Sequence, residues 1–184
     1  MLKNIIGRLI RKQEEVTGES ADFMRNLYEA SPRGFWRFVL FVPMSRHRGT
    51  LPVDAVSAVR IAAVHAEDCG PCLQTVIKLS LDAGAAPRLL RAAVEENPAA
   101  MDEETRLAFE FARHLVARDP RAEDLRHAVE QRWGKAGICE IALAIASTRV
   151  FPTVKRAMGY GQACQRAVIA GEETDATLKE PRAA

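Results

Sequence analysis

Residues 53–84 read VDAVSAVRIAAVHAEDCGPCLQTVIKLSLDAG, with two cysteines, Cys69 and Cys72, at their centre. What decides the fold is the segment leading into that pair. Val53, Val56, Val59 or Arg60, and Val64 keep a 3.6-residue period behind Pro52, so the spacing predicts a helix to about Ala66 rather than a strand. Asp68 then reads as the N-cap of a second helix, which carries Leu73, Val76, Ile77 and Leu81 and ends at Gly84. The cysteine pair opens this second helix. Residues i and i+3 lie on one helical face about 5–6 Å apart, within the span of a disulfide, so the two thiols can bridge.

Helical periodicity extends outward in both directions. Leu2, Ile5, Ile6, Leu9 and Ile10 alternate with Lys3, Arg8, Arg11 and Lys12, an amphipathic basic helix over residues 1–15. It is expected to pack on its own domain or on a sister subunit, a membrane-surface helix being the alternative. Residues 20–30 read as the next helix. Ser31-Pro32 caps a third that runs from Arg33 toward Val42, apolar nearly all round and therefore expected to be buried, with a strand as the alternative. Downstream, Pro87 leads a short helix over 86–96. Asp102 caps another, with Glu103 and Glu104 in its first turn and Arg113 and Arg118 toward its end, before Asp119-Pro120 stops it. Leu125, Ala128 and Val129 mark a helix ending before Gly134. The run Ile138 to Ala146 is apolar except at Glu140 and reads as a core or interface helix, with Glu140 expected in a structural ion pair. Pro152 is expected to break or kink it. A last helix carries Val154, Ala157, Met158 and Cys164, and 171–184 reads as a flexible tail. The expectation is an all-α fold, a compact bundle of eight to ten helices, with a helical domain over 16–170 between the N-terminal helix and the tail.

Composition narrows the functional classes. At 184 residues, 48% hydrophobic and 27% charged, the chain has the balance of one globular domain. Such a length buries roughly 70% of the unfolded surface, so the four cysteines are not needed as staples. A net charge of +2 excludes a strongly basic nucleic-acid surface as the main theme. No uncharged run approaches the roughly 20 residues of a spanning helix, so no stable membrane insertion is expected. Asn4, Gly7 and Arg8 interrupt the N-terminal segment, which lacks a signal-peptide core; the expected location is the cytoplasm.

In a reducing compartment, a close cysteine pair points to catalysis or metal binding rather than to a disulfide framework. A thiol in the first helical turn meets unpaired backbone N–H groups and the positive end of the helix dipole, which favour thiolate. Pro71 stiffens the loop between the sulfurs without costing a helical hydrogen bond. Cys69-Gly70-Pro71-Cys72 therefore fits reversible disulfide chemistry. A zinc site and a purely structural pair of buried thiols are the alternatives. The zinc reading lacks ligands, because Cys139 and Cys164 are 25 residues apart with no pairing motif. Covalent haem attachment is excluded by Leu73, where histidine would be required. No metal or cofactor is called for. His65, four residues before Cys69, is a candidate for proton transfer, the alternative being a hydrogen-bonded structural histidine. Glu67 and Asp68 read as solvated capping charges. Cys139 and Cys164 read as small core residues, and His47, His114 and His127 have no partner spacing.

A thioredoxin fold would place a strand before the pair, where this chain has helical period. Val59-Arg60-Ile61-Ala62-Ala63-Val64-His65 leading into Cys69-x-x-Cys72 instead resembles the alkylhydroperoxidase D and carboxymuconolactone decarboxylase superfamily, as do Leu107 to Ala112 and Gly137 to Ala142. The resemblance spans roughly residues 35–165. It implies an all-α homo-oligomer acting as a thiol-dependent peroxidase or disulfide oxidoreductase. Its partners would be a peroxide or disulfide substrate and a thiol reductant. Cys72 would be the peroxide-reactive sulfur and Cys69 the resolving one. Members of the peroxidase type place a glutamate twelve residues before the first cysteine and a histidine four after the second. Ser57 and Val76 stand there in this chain, which brings His65 forward as the candidate acid–base group. The alternatives are a redox-sensing or binding module without turnover, and a decarboxylase or isomerase acting on a small organic acid.

Overall fold

The computed structural model describes residues 2–162 and 166–177, without the side chains of 2–5, and the described residues are mostly helical. Helices α1 (Leu2–Thr17), α2 (Asp22–Ala30), α3 (Pro32–Val39) and the short α4 (Phe41–Ser45) precede the central α5 (Val53–His65). Then follow α6 (Gly70–Asp82), α7 (Pro87–Val94), α8 (Glu103–Val116) and α9 (Arg121–Ala157).

The core is built around α5. From Ala55 to His65 every side chain except Arg60 is buried, because α6, α7, α8 and α9 cover the helix on different sides. Its alanines let those neighbours approach closely. Leu73, Ile77, Leu89, Leu90, Phe109 and Ile141 fill the spaces between them, each contributing about 1.5–3 kcal/mol of burial. A second apolar cluster joins Ile6 and Ile10 of α1, Phe23 and Met24 of α2, and Phe35 and Phe38 of α3 to Phe151 and Val154 near the end of α9. Edge-to-face contacts bind it, with ring centroids 5.9 Å apart for Phe23–Phe38 and 5.3 Å for Phe38–Phe151.

Several local expectations are corrected. The N-cap of α6 is Cys69, not Asp68, which instead takes φ 46° in the turn joining α5 to α6. The stretch from Phe35 to Val42 is not uniformly buried. It divides into α3 and α4, and Trp36, Leu40 and Phe41 are exposed. In the run Ile138 to Ala146, Ile141, Ala144 and Ile145 face the core, whereas Cys139, Ala142 and Ala146 are exposed. Helix α9 is broken at Gly134 (φ 66°, ψ −171°) but continues through Pro152 and ends at Ala157. Cys164 lies outside the described residues. By length and apolar composition alone α9 could cross a membrane, yet Ile141, Ala144 and Ile145 belong to the main core.

A packed hairpin takes the place of the end of the expected helical domain and the start of the expected tail at residue 171. Strands β1 (Arg166–Ile169) and β2 (Glu172–Asp175) pair antiparallel around Ala170 and Gly171. Both turn residues have positive φ, 51° and 87°, as a tight two-residue hairpin turn requires. Ala167, Ile169, Thr174 and Ala176 are buried against the α6–α7 side of the core. The Gln74 side chain closes two hydrogen bonds with the backbone of Val168, accepting from its N–H and donating to its carbonyl, each 2.9 Å. Residues 178–184 lie outside the described part.

Candidate functional site

The turn after α5 delivers the cysteines. Cys69 has extended backbone at the N-cap of α6, Cys72 sits in the first turn, and Pro71 occupies a position where no helical N–H is needed. Their Cα atoms are 5.2 Å apart and their sulfurs are joined as a disulfide. The Gly70 N–H donates to the Gln162 carbonyl at 2.9 Å, so the chain beyond α9 folds back over the pair. Both cysteines are buried: Cys69 is 3% and Cys72 7% accessible.

Access comes from within the fold. A cavity of about 120 Å³ lies between α1, α2, α4, α5, α6 and α9, and Cys72, but not Cys69, lines it. On α6 the lining positions are Cys72, Thr75, Val76 and Leu79, with Ser80 beside them; on α9 they are Thr148, Phe151, Pro152 and Lys155. Both sets have i, i+3, i+4, i+7 spacing, the signature of a single helical face. Val76, at the position where the resembling family has histidine, is part of the apolar wall. Ser57, at the glutamate position, is buried in the core and does not line the cavity.

Two cations border this space. Lys155 is 8% accessible, and its Nζ lies 5.3 Å from the centre of the Phe23 ring. Burial pushes its pKa below the ordinary lysine value, with the Glu19 charge acting in the opposite sense. Arg60 donates to the His47 carbonyl at 3.0 Å, while its Nε is buried without a hydrogen-bond partner. Burial, together with the Arg48 charge, lowers its pKa as well. Neither cation stood out in the sequence. A signal was present for Lys155, which falls on the same helical face as Phe151 and Pro152, where an amphipathic pattern calls for an apolar residue.

Glu67 is not a solvated cap. It is buried, its carboxylate accepts from Arg149 Nε at 2.5 Å and lies 3.4 Å from Arg156, and Arg156 also donates to the Glu67 carbonyl. This ionic cluster fastens the C-terminal half of α9 to the turn that carries the cysteines. Among the described residues Glu140 makes no ion pair. It is buried and accepts three backbone N–H groups, from Gly49 (2.8 Å), Thr50 (2.6 Å) and Leu51 (2.9 Å). Cys139 is exposed rather than a core residue.

His65 is buried, and its two ring nitrogens point at acceptors. Nε2 lies 3.0 Å from the Ala176 carbonyl, which can only accept, so Nε2 carries a proton; Nδ1 faces the Glu96 carboxylate at 3.6 Å. Proton delivery to a cysteine sulfur would require giving up one of these contacts. Burial alone would lower the imidazole pKa, but Glu96, the Ala176 carbonyl and the Asp68 charge outweigh it and the net shift is upward. A folded-state pKa above the unfolded one means that folding favours the protonated ring. The resulting stability is fully present below the ordinary value of about 6.5 and is lost as pH rises through the raised value. In thermal melts between about pH 6 and pH 9 the advantage of the wild type over His65→Gln is expected to shrink with rising pH. A difference that does not change with pH would contradict this assignment.

The described residues hold no cluster of three or more His, Cys, Asp or Glu suited to a metal ion. No protein-family model, curated protein or solved structure matches the chain.

Proposed function

We propose that the protein is a thiol-dependent peroxidase or disulfide oxidoreductase that cycles Cys69 and Cys72 between dithiol and disulfide. The observation that carries this reading is the asymmetry of the pair: the two sulfurs are within bonding distance, and the cavity reaches Cys72 alone. In the forward step the Cys72 thiolate attacks the terminal oxygen of a hydroperoxide. The O–O bond breaks, the departing oxygen takes up a proton as alcohol or water, and Cys72 becomes a sulfenic acid. The Cys69 thiolate then displaces hydroxide from that sulfur, which leaves as water after protonation, and the disulfide forms. A dithiol protein or small thiol supplies the two electrons and two protons that restore both thiols. Such a cycle suits a reducing compartment such as the cytoplasm.

A second reading is a redox sensor that forms the disulfide once and turns over slowly. Val76 in the cavity wall and Ser57 in the core favour it, because neither position offers a proton relay. Steady consumption of hydrogen peroxide with dithiothreitol as reductant separates the two. The peroxidase is expected to consume many equivalents per chain, whereas a sensor stops near one.

Self-association is part of the same proposal. Trp36, Leu40 and Phe41 are 40%, 71% and 37% exposed on α3, α4 and the junction between them, an apolar grouping that a second copy would cover. Sedimentation or light scattering is expected to give a mass above that of one chain. A strictly monomeric mass would reject it.

A further inference from the structure

The cavity beside Cys72 holds more positive charge than its own residues neutralise. Lys155 is more than nine-tenths buried, and among the described residues no hydrogen-bond acceptor or ion-pair partner meets its ammonium; the Phe23 ring faces it and the Glu19 charge acts on it from farther off. Arg60, from the opposite wall, keeps a buried Nε–H without an acceptor. Glu19 is the one carboxylate that lines the same space, and it lies beyond ion-pair distance of both. A buried cation without a partner is costly, and the cost is relieved when an anion enters. The remaining wall is largely apolar, from Phe23, Val64, Val76 and Leu79. The space, about 120 Å³, is open at one side, so a short chain need not lie wholly inside it.

We propose that this cavity is a carboxylate-anchoring subsite for a small organic acid, with the carboxylate on Lys155 and a short apolar chain against Val64, Val76 and Leu79. Resting on the peroxidase reading above, it further assigns the preferred oxidant as a short-chain hydroperoxide that carries a carboxylate. Held by its acid end, such a molecule presents its far end to the wall that Cys72 shares. Thr148, two turns before Lys155 on the same face of α9, adds a hydroxyl to the lining of the same space.

The test uses two unreactive probes of equal size, pentanoate and pentanamide, titrated into the full-length disulfide form by calorimetry or NMR. Pentanoate is expected to bind about tenfold or more tightly than pentanamide, the worth of one charge-assisted hydrogen bond in a partly dry site. Lys155→Met should abolish that preference and Lys155→Arg should keep it. In the reduced protein pentanoate should slow alkylation of Cys72 but not of the exposed Cys139. Equal affinity for the two probes, or a preference that survives in Lys155→Met, overturns the subsite. If Lys155→Met does not fold, the wild-type comparison together with the Cys72 protection decides. Binding of pentanoate without oxidation of Cys72 by peroxide would reject the peroxidase reading and leave the subsite standing.

Discussion

Replacing Glu140 by alanine is expected to destabilise the fold by about 2–4 kcal/mol, because three backbone N–H groups lose their acceptor, that of Leu51 in a buried site and those of Gly49 and Thr50 at its rim. The position matters beyond its hydrogen bonds. Residues 49–51 feed Leu51 into the core and place Pro52 at the N-cap of α5, so this carboxylate ties the middle of α9 to the start of the central helix. For a chain of this size the loss corresponds to a fall in Tm on the order of 10 °C. Glu140→Gln should be intermediate, since its amide retains one accepting oxygen but turns an NH2 donor toward N–H donors. Gly49→Ala should also destabilise, because a Cβ there would stand 2.7 Å from Glu140 Oε2. Denaturant midpoints measure all three. A Glu140→Ala protein as stable as the wild type would show that the 49–51 turn finds other acceptors.

The largest expected effect on activity comes from Cys72→Ser, which should lower the rate of peroxide consumption by on the order of 100-fold or more, since a serine hydroxyl cannot replace a thiolate nucleophile. Cys69→Ser should behave differently. Cys72 would still be oxidised, but with no neighbouring sulfur to displace the hydroxyl the sulfenic acid would persist and be captured by a 1,3-dione reagent. Stopped-flow peroxide consumption and mass mapping of the captured adduct read the two variants. Equal effects of the two substitutions, with no adduct in Cys69→Ser, would mean that the sulfurs do not divide the work as the cavity's position implies.

Sequence periodicity located the elements that matter most. The 3.6-residue spacing of valines before the cysteine pair marked α5 as a helix, Gly84 marked the end of α6, and Asp102 capped α8, its side chain accepting from the Thr105 N–H at 2.9 Å. What escaped was set by tertiary partners. Nothing within residues 66–69 announces that Glu67 will be buried, because Arg149 and Arg156, which neutralise it, are more than eighty positions away. The hairpin straddles the boundary at residue 170 between the expected helical domain and the expected tail, and its strands, four residues each, are too short to carry a periodic signal. Its docking depends on Gln74, Glu95 and His65 from other elements. Of the two outcomes expected at Pro152, a break or a kink, the break does not occur: a helix held on one side by the core and on the other by the aromatic cluster tolerates the lost hydrogen bond. The cavity and its lysine were the least legible. Each wall is an ordinary helical face, and only their convergence makes a site.

The most direct test of the central claim is titration of the fully reduced protein with stoichiometric hydrogen peroxide, followed by rapid alkylation and peptide mass mapping. The account predicts selective loss of the Cys69 and Cys72 thiols as a mutual disulfide, well ahead of Cys139. Survival of both thiols at the rate of an ordinary free cysteine would contradict it.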